Sequence, residues 1–376
     1  MQSHLPRDAR TDFNFTLNGY RGLCAMFVFV FHLGSAGVIA WPGGTPLADA
    51  THHLWASLSF GVDMFFMISG FVILGSLLRH ENVGRFIVDR ILRIFTAWIP
   101  ALLAVTVICV AFRMKVFADV SFVEGAWIFI ANLLLLPPLA PLPLIHIGSW
   151  SLTYEWVFYL TAALGALAYR RAPGSVWVTA VWAIPAALFI CMYPRAMFFV
   201  TGVLVFKYRD AFAAHARWLK WPLVSLLVFL ISWRSIGSGE HEHATDTLTA
   251  FLVDGRWVAA ALAFLASLHM FASVCLNSSR QVAFLNGPTF QFLGTISYSL
   301  YLWHVLVMAV TKRLAVTYVT PEYGEATAFV VFTVLSLAIA IPLAWLSWKL
   351  FEVMLARRAR QWLRPRPVVA SPVSVQ

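Results

Sequence analysis

Residues 17–32 read LNGYRGLCAMFVFVFH, with Arg21 near the start and His32 at the end of the run, eleven positions apart. At roughly 100° and about 1.5 Å per residue, that spacing is three helical turns, so both side chains share one face about 16 Å apart. From Leu23 to Leu33 every residue except His32 is apolar or small. A cation at one end and an imidazole deep in an apolar helix describe a membrane span that holds a polar group inside the protein, because charged or ionisable groups at mid-bilayer face protein or a cavity rather than lipid.

The rest of the chain fits that solvent. Of 376 residues, 60% are hydrophobic and 12% charged, and the mean hydropathy is +0.78, which excludes an ordinary soluble fold. The basic balance, +10 with a pI near 9.8, does not indicate nucleic acid, since the lysines and arginines are scattered between apolar stretches instead of gathered on one face. Cys24, Cys109, Cys191 and Cys275 occur singly in or beside apolar runs, so neither a disulfide nor a metal site is expected. Arg7 and Arg10 precede an apolar run ending in Gly34, Ser35, Ala36 and Gly37, which has the shape of a secretory signal. Cleavage there would discard Arg21 and His32, so the segment is read as a retained span.

Apolar stretches near 20–40, 58–78, 94–112, 152–169, 175–193, 195–206, 221–233, 257–276, 293–310 and 327–350 predict an all-α polytopic fold of about ten transmembrane helices. The sixth and seventh are short. The piece from Ala126 to Leu136, running into Pro137, Pro138, Pro141 and Pro143, is read as interfacial or re-entrant. With both termini cytoplasmic, twenty of the 27 Lys and Arg fall on inner segments, including Arg79 to Arg93 and Lys349 to Arg366, as the positive-inside rule requires. Arg113, Lys115, Arg195, Arg234, Arg256, Lys312 and Arg313 fall outside. The outer loop from Arg234 to Arg256 carries Glu240, His241, Glu242 and His243 and reads as a solvated loop, not a metal site. Residues 1–363 form one transmembrane domain, and the proline-rich 364–376 reads as a disordered cytoplasmic tail.

His32 is the first candidate for chemistry: burial favours the neutral imidazole, which can accept a proton as a general base. A core histidine bonded to a neighbouring helix is the plainer alternative. Arg21 alone would pass for an interfacial anchor, but Arg90 and Arg93, at i and i+3, open the third span from the same side. Three guanidinium groups suit a polyanion such as the phosphates of coenzyme A. Glu155 lies about one turn inside the fourth span and needs a partner such as a histidine or substrate hydroxyl. Asp63, at the outer start of the second span, is shallower, and a solvated helix end competes with a functional role. Ser69 and Gly70 read first as small residues for close helix packing. Ser297, Tyr301 and His304 fall at i, i+4 and i+7, a polar stripe on the ninth helix suited to a cavity or to interhelical bonds. His52, His53 and His146 read as loop residues.

Taken in order, LNGYRGLCAMFVFVFH, GVDMFFMISGFVI, RILRIFTAWIP, WSLTYEWVFYL and ISYSLYLWHVLV resemble the acyltransferase-3 family of integral membrane acyltransferases over nearly the whole chain. The resemblance implies that His32 is the essential histidine and Arg21 its partner in an acyl-CoA region. Arg90 and Arg93 match the family's basic motif, and Glu155, Tyr301 and His304 match shared positions. Phe351-Glu352 retains part of a C-terminal motif, while Asn18, Thr96 and Met354 stand where the family commonly has aspartate or proline. It further implies an acyl-CoA co-substrate, in the first instance acetyl-CoA, no metal, and a bacterial cytoplasmic membrane location. The acceptor implied is a hydroxyl of a surface glycan or lipid-linked sugar; a small molecule such as a macrolide sugar is the other possibility. Glu155 or another acid is expected to orient His32. A transporter using Arg21, His32, Glu155 and His304 as a proton or anion path is the competing class, though no inverted repeat is visible. Membrane lipid is the one further partner expected, and the sequence carries no signature of oligomeric state.

Overall fold

The structure is a computed structural model, which describes residues 14–40, 45–80, 82–112, 116–234 and 255–363. Arg7, Arg10, Arg113, Lys115, the acidic and histidine-rich loop through Asp254 and the tail from Arg364 lie outside the described residues.

Within them the secondary structure is helical throughout. Helix α1, Phe15–Ser35, begins where the Asn14 side chain accepts the Leu17 amide, an N-cap that sets its start five residues before the expected span. It stops before Gly37, whose φ of 68° suits glycine. The expected first outer loop instead contains helix α2, Pro46–Ser57, capped by Thr45. Then come α3 (Gly61–Arg79), α4 (Val83–Ala111), α5 (Phe122–Leu133), α6 (Ser149–Arg171), α7 (Val176–Met192), α8 (Met197–Lys207) and the short α9 (Arg209–Ala214). The remainder is α10 (Pro222–Arg234), α11 (Trp257–Leu276), α12 (Pro288–Leu314), α13 (Thr320–Ser347) and α14 (Ala356–Trp362).

Among the described residues, four stretches are long and apolar enough to cross a membrane: Pro46–Arg79, Val83–Ala111, Trp257–Leu276 and Pro288–Trp362. The last, 75 residues, folds back on itself near Gly324 (φ 77°). Thr311 meets Ser336 at 2.7 Å and Ser299 meets Ser347 at 3.1 Å, so α12 and α13 are antiparallel partners. Helices α8 and α10 have only 11 and 13 residues, well short of the roughly 20 that a hydrocarbon core asks for. Helix α5 carries a Ser121–Glu124 capping box at an exposed end, where the Ser121 amide and hydroxyl hold the Glu124 carboxyl below its usual range.

Side-chain pairs give the helix directions. Tyr20 meets Met67 and Met270, and Asn14 reaches the Cys275 carbonyl, so α3 and α11 run against α1. His304 lies beside His32 and Gly294 against Asn18, so α12 runs with it. Ser69 bonds Glu155 and the His80 carbonyl accepts from Arg170, which makes α6 parallel to α3. Several glycines permit close approaches, Gly294 and Gly70 among them. A Cβ on Gly294 would sit 1.9 Å from the Asn18 carbonyl oxygen, and one on Gly70 would sit 2.0 Å from that of Phe199. At these points backbone touches backbone, as small residues allow in membrane helices.

Candidate functional site

A cavity of about 280 Å³ opens where α1, α3, α4, α6 and α12 converge. Its cationic wall is Arg21, Arg90 and Arg93, so the sequence's three arginines do meet. Arg93 is committed: its guanidinium lies 2.8 Å from Glu352 and 5.4 Å from the centre of the Tyr298 ring. Arg90 lies over the rings of Phe86 and Tyr159, at 5.7 and 5.9 Å, and its buried Nε has no hydrogen-bond partner. A buried guanidinium donor left without an acceptor in a cavity wall fits an anionic ligand, since such a donor costs free energy until it is bonded.

Helix α6 lines the cavity with Ser151, Glu155 and Tyr159, spaced four residues apart and therefore on one face. Glu155 accepts from Ser69 at 2.6 Å and from the Tyr159 hydroxyl. That revises the expectation for Ser69: Gly70 makes the close helix contact, and Ser69 turns into the cavity. Glu155, for which a histidine or a substrate hydroxyl is the expected partner, has Ser69 and Tyr159 instead; against His32 lie the rings of Phe31 and His304, each 5.0 Å centre to centre. The apolar part of the lining is Phe65, Ile68, Val72, Ile94 and Leu152.

The polar stripe of α12 divides. Ser297 and Tyr301 line the cavity; His304 and His32 do not. They follow behind Tyr301, whose ring centre is 5.8 Å from that of His304. The Tyr301 hydroxyl is held 2.9 Å from the Gly148 carbonyl and 2.8 Å from Ser151. His304 is 2% exposed; its Nδ1 lies 2.8 Å from the Tyr301 carbonyl and its buried Nε2 has no hydrogen-bond partner.

Asp63 stands apart from the cavity. It is fully buried, not a solvated helix end, and binds Arg195 through two contacts of 2.9 and 2.7 Å. Arg195, read from sequence as an outer-loop cation, is 4% exposed and lies over Trp150 at 4.5 Å. His146 is likewise not a loop residue at a surface. It is 2% exposed, and its two ring nitrogens bond the Leu302 carbonyl and the Gly148 amide, fixing the turn into α6. His52 and His53 are exposed on α2. Among the described residues no cluster of metal-binding side chains forms.

Ser151, Tyr159, Tyr298 and Glu352 join the site without having been singled out as site residues. Ser151 and Tyr159 had a signal, the four-residue spacing around Glu155. Glu352 had only its place in a partial motif, because no local pattern relates it to Arg93, 259 positions away.

A family profile described as "Acyltransferase domain" matches residues 14–345. The chain belongs to the acyltransferase-3 family. It is also similar to "Acyltransferase MdmB" of Streptomyces mycarofaciens, 29% identical over 42% of this chain and 40% of that protein. A protein of Staphylococcus aureus (strain COL) named "Putative O-acetyltransferase" is 23% identical over 93% of this chain and 58% of its own length. A namesake from strain MRSA252 is 24% identical over 89% and 56%. The chain thus spans about two fifths to three fifths of these curated relatives. No solved structure matches it.

Proposed function

We propose that this protein is a multi-pass membrane O-acyltransferase that moves an acyl group, acetyl in the first instance, from cytoplasmic acyl-CoA to a hydroxyl of an exported or surface glycan. The observation that carries the reading is an arginine-walled cavity lined by Tyr301, whose ring lies 5.8 Å from that of His304, which in turn lies 5.0 Å from that of His32. About ten spans with both termini inside belong to this reading, and α3 and α11 running against α1, with α12 running alongside it, fit that order.

On this reading the donor phosphates meet Arg21 and Arg90, and the pantetheine arm lies along Phe65, Ile68 and Leu152. His32 takes the proton from the acceptor hydroxyl as its oxygen attacks the thioester carbonyl carbon. The new C–O bond forms, the C–S bond breaks, and the departing thiolate takes up the proton. Because His32 lies beyond the cavity wall, the acyl end has to pass Tyr301, which makes that side chain the boundary between donor and acceptor sides. The glycan acceptor rests on the family resemblance, and the names of the Staphylococcus relatives accord with an alcohol acceptor.

The test is purified protein in detergent with acetyl-CoA and a thiol reagent. Slow release of free thiol by the wild type, lost in His32→Ala, supports the reading. An intact thioester with both proteins overturns it and returns the transporter class.

A further inference from the structure

We propose that Glu352 is a built-in counter-anion that occupies Arg93 between turnovers and sets how tightly the donor's phosphates are held. The inference rests on the acyl-CoA reading above, and it concerns a residue of the partial Phe351-Glu352 motif, past residue 345 where the family profile match ends.

Three guanidinium groups around one cavity repel one another unless anions stand among them. Two carboxylates do. Glu155 is bonded to Ser69 and Tyr159 and faces the cavity, whereas Glu352 sits behind Arg93 with a side chain only 3% exposed. Its two oxygens are used separately: Oε2 takes Arg93 at 2.8 Å and Oε1 takes the Ser299 hydroxyl at 2.7 Å. With its proton on Glu352, Ser299 is left to accept from the Ser347 hydroxyl at 3.1 Å, and Ser347 in turn accepts from Trp303, so the carboxylate is braced from α12 and α13 together.

The backbone is shaped for this. After Ser347 the chain winds as a π-helix through Trp348–Leu355, and Glu352 lies inside that segment. A π-turn shifts side chains off the α-helical register, and such turns concentrate at functional positions. Ordinary winding would carry position 352 to a different angle around the helix. Arg93, in contrast, is 37% exposed and belongs to the cavity lining, so an incoming anion can reach it while Glu352 holds it.

A phosphate arriving at Arg93 therefore meets a guanidinium already half neutralised, with a fixed carboxylate a few ångströms further on. Acyl-CoA and the product CoA carry the same phosphates, so Glu352 weakens both alike. Its effect is on uniform binding and on product release rather than on the acyl-transfer step.

The experiment is titration calorimetry of CoA itself, with acetyl-CoA kinetics, on wild type, Glu352→Gln and Glu352→Asp in detergent. Glu352→Gln is expected to bind CoA on the order of tenfold tighter, the scale of one charge a few ångströms away in a partly screened site. The KM for acetyl-CoA falls with it, and kcat falls or stays level. Unchanged or weaker CoA binding by a Glu352→Gln protein with wild-type melting behaviour overturns the inference. Should Glu352→Gln not fold, Glu352→Asp carries the test. Drawing the carboxylate back by one methylene should tighten binding roughly two- to threefold by the same distance argument, and no change or weakening overturns the inference. Wild-type protein that binds no CoA overturns the donor reading and this inference together; binding without a difference among variants overturns this one alone.

Discussion

The rings of His32 on α1 and His304 on α12 lie 5.0 Å apart, although 272 positions separate them in the chain. The Tyr301 and Leu300 carbonyls lie 2.8 and 3.1 Å from His304 Nδ1. A carbonyl only accepts, so Nδ1 carries the ring proton and Nε2 is left as an acceptor. That acceptor is buried and has no hydrogen-bond partner. A neutral imidazole with a free acceptor beside the proposed base is placed to steady the charge that His32 gains when it takes a proton.

Replacing His32 with alanine is therefore expected to lower acyl transfer by about 10²–10⁴-fold, the usual range for a general base. His304→Ala should lower kcat by a smaller factor, roughly tenfold, with the donor KM little changed, as for an interaction felt mainly in the transition state. Steady-state kinetics in detergent read both. Wild-type kcat in His304→Ala would show that this pair only packs α1 against α12.

The Asp63–Arg195 pair predicts a stability effect instead. Both side chains are almost wholly buried, at 0% and 5% exposure, so Asp63→Ala strands a guanidinium in the core beside Trp150. Losing one partner of a buried pair costs about 3–5 kcal/mol. The purified variant should melt well below the wild type or express poorly. The double variant Asp63→Leu with Arg195→Met should recover much of the loss, because it leaves no buried charge. Thermal unfolding followed by intrinsic fluorescence measures it.

These two pairs show what the sequence carries and what it leaves out. The all-helical class, the arginine wall and the position of most helices follow from local pattern: apolar run length, the three-residue spacing of Arg90 and Arg93, and the four-residue spacings on α6 and α12. For Asp63 the sequence leaves a solvated helix end and a functional role in competition, because its burial depends on Arg195, 132 positions away, and no periodicity encodes that contact. For Glu155 the sequence offers only a histidine or a substrate hydroxyl as partner, because run length and spacing do not say which helices cross. The crossing of α3 and α6 gives it Ser69 and Tyr159, and the crossing of α1 and α12 gives His32 its neighbour. The short helices α8 and α10 match the stretches expected to be short, since an apolar run directly limits helix length.

Close helix contact supplies the third prediction. At Gly70 an added Cβ would lie 2.0 Å from the Phe199 carbonyl oxygen, a backbone atom that cannot swing aside. Gly70→Ala must push α8 away from α3 and open the packing around Phe66, Phe199 and Phe158, whose rings stack at 4.4 Å. A loss of about 1–3 kcal/mol is expected, the cost of overpacking a well-filled interior. Gly174→Ala, at a glycine with nothing within 4 Å of the added carbon but a φ of 78°, should cost only about 1–2 kcal/mol of backbone strain. Melting curves of the two variants compare the mechanisms. Equal stability of Gly70→Ala and wild type would mean that α3 and α8 are farther apart than described.

Arg90 and Arg93 separate binding from stability. They are one turn apart on α4 and line the same cavity, yet Arg93 is tied to Glu352 while Arg90 Nε is unbonded. Arg90→Gln removes a donor that the protein itself does not satisfy, so its melting temperature should stay near wild type. The acyl-CoA KM should rise about tenfold with kcat nearly unchanged, as when an interaction equal in ground and transition states is lost. Arg93→Gln is expected to weaken the proposed donor site as well, but it leaves Glu352 buried with Ser299 as its remaining partner. That adds a stability cost of about 1–3 kcal/mol, the penalty for a buried charged group deprived of a hydrogen bond. Kinetics paired with thermal unfolding distinguish the two arginines. A stability loss in Arg90→Gln as large as that in Arg93→Gln would mean that Arg90 is bound within the protein, and its place as the open anion contact would be lost.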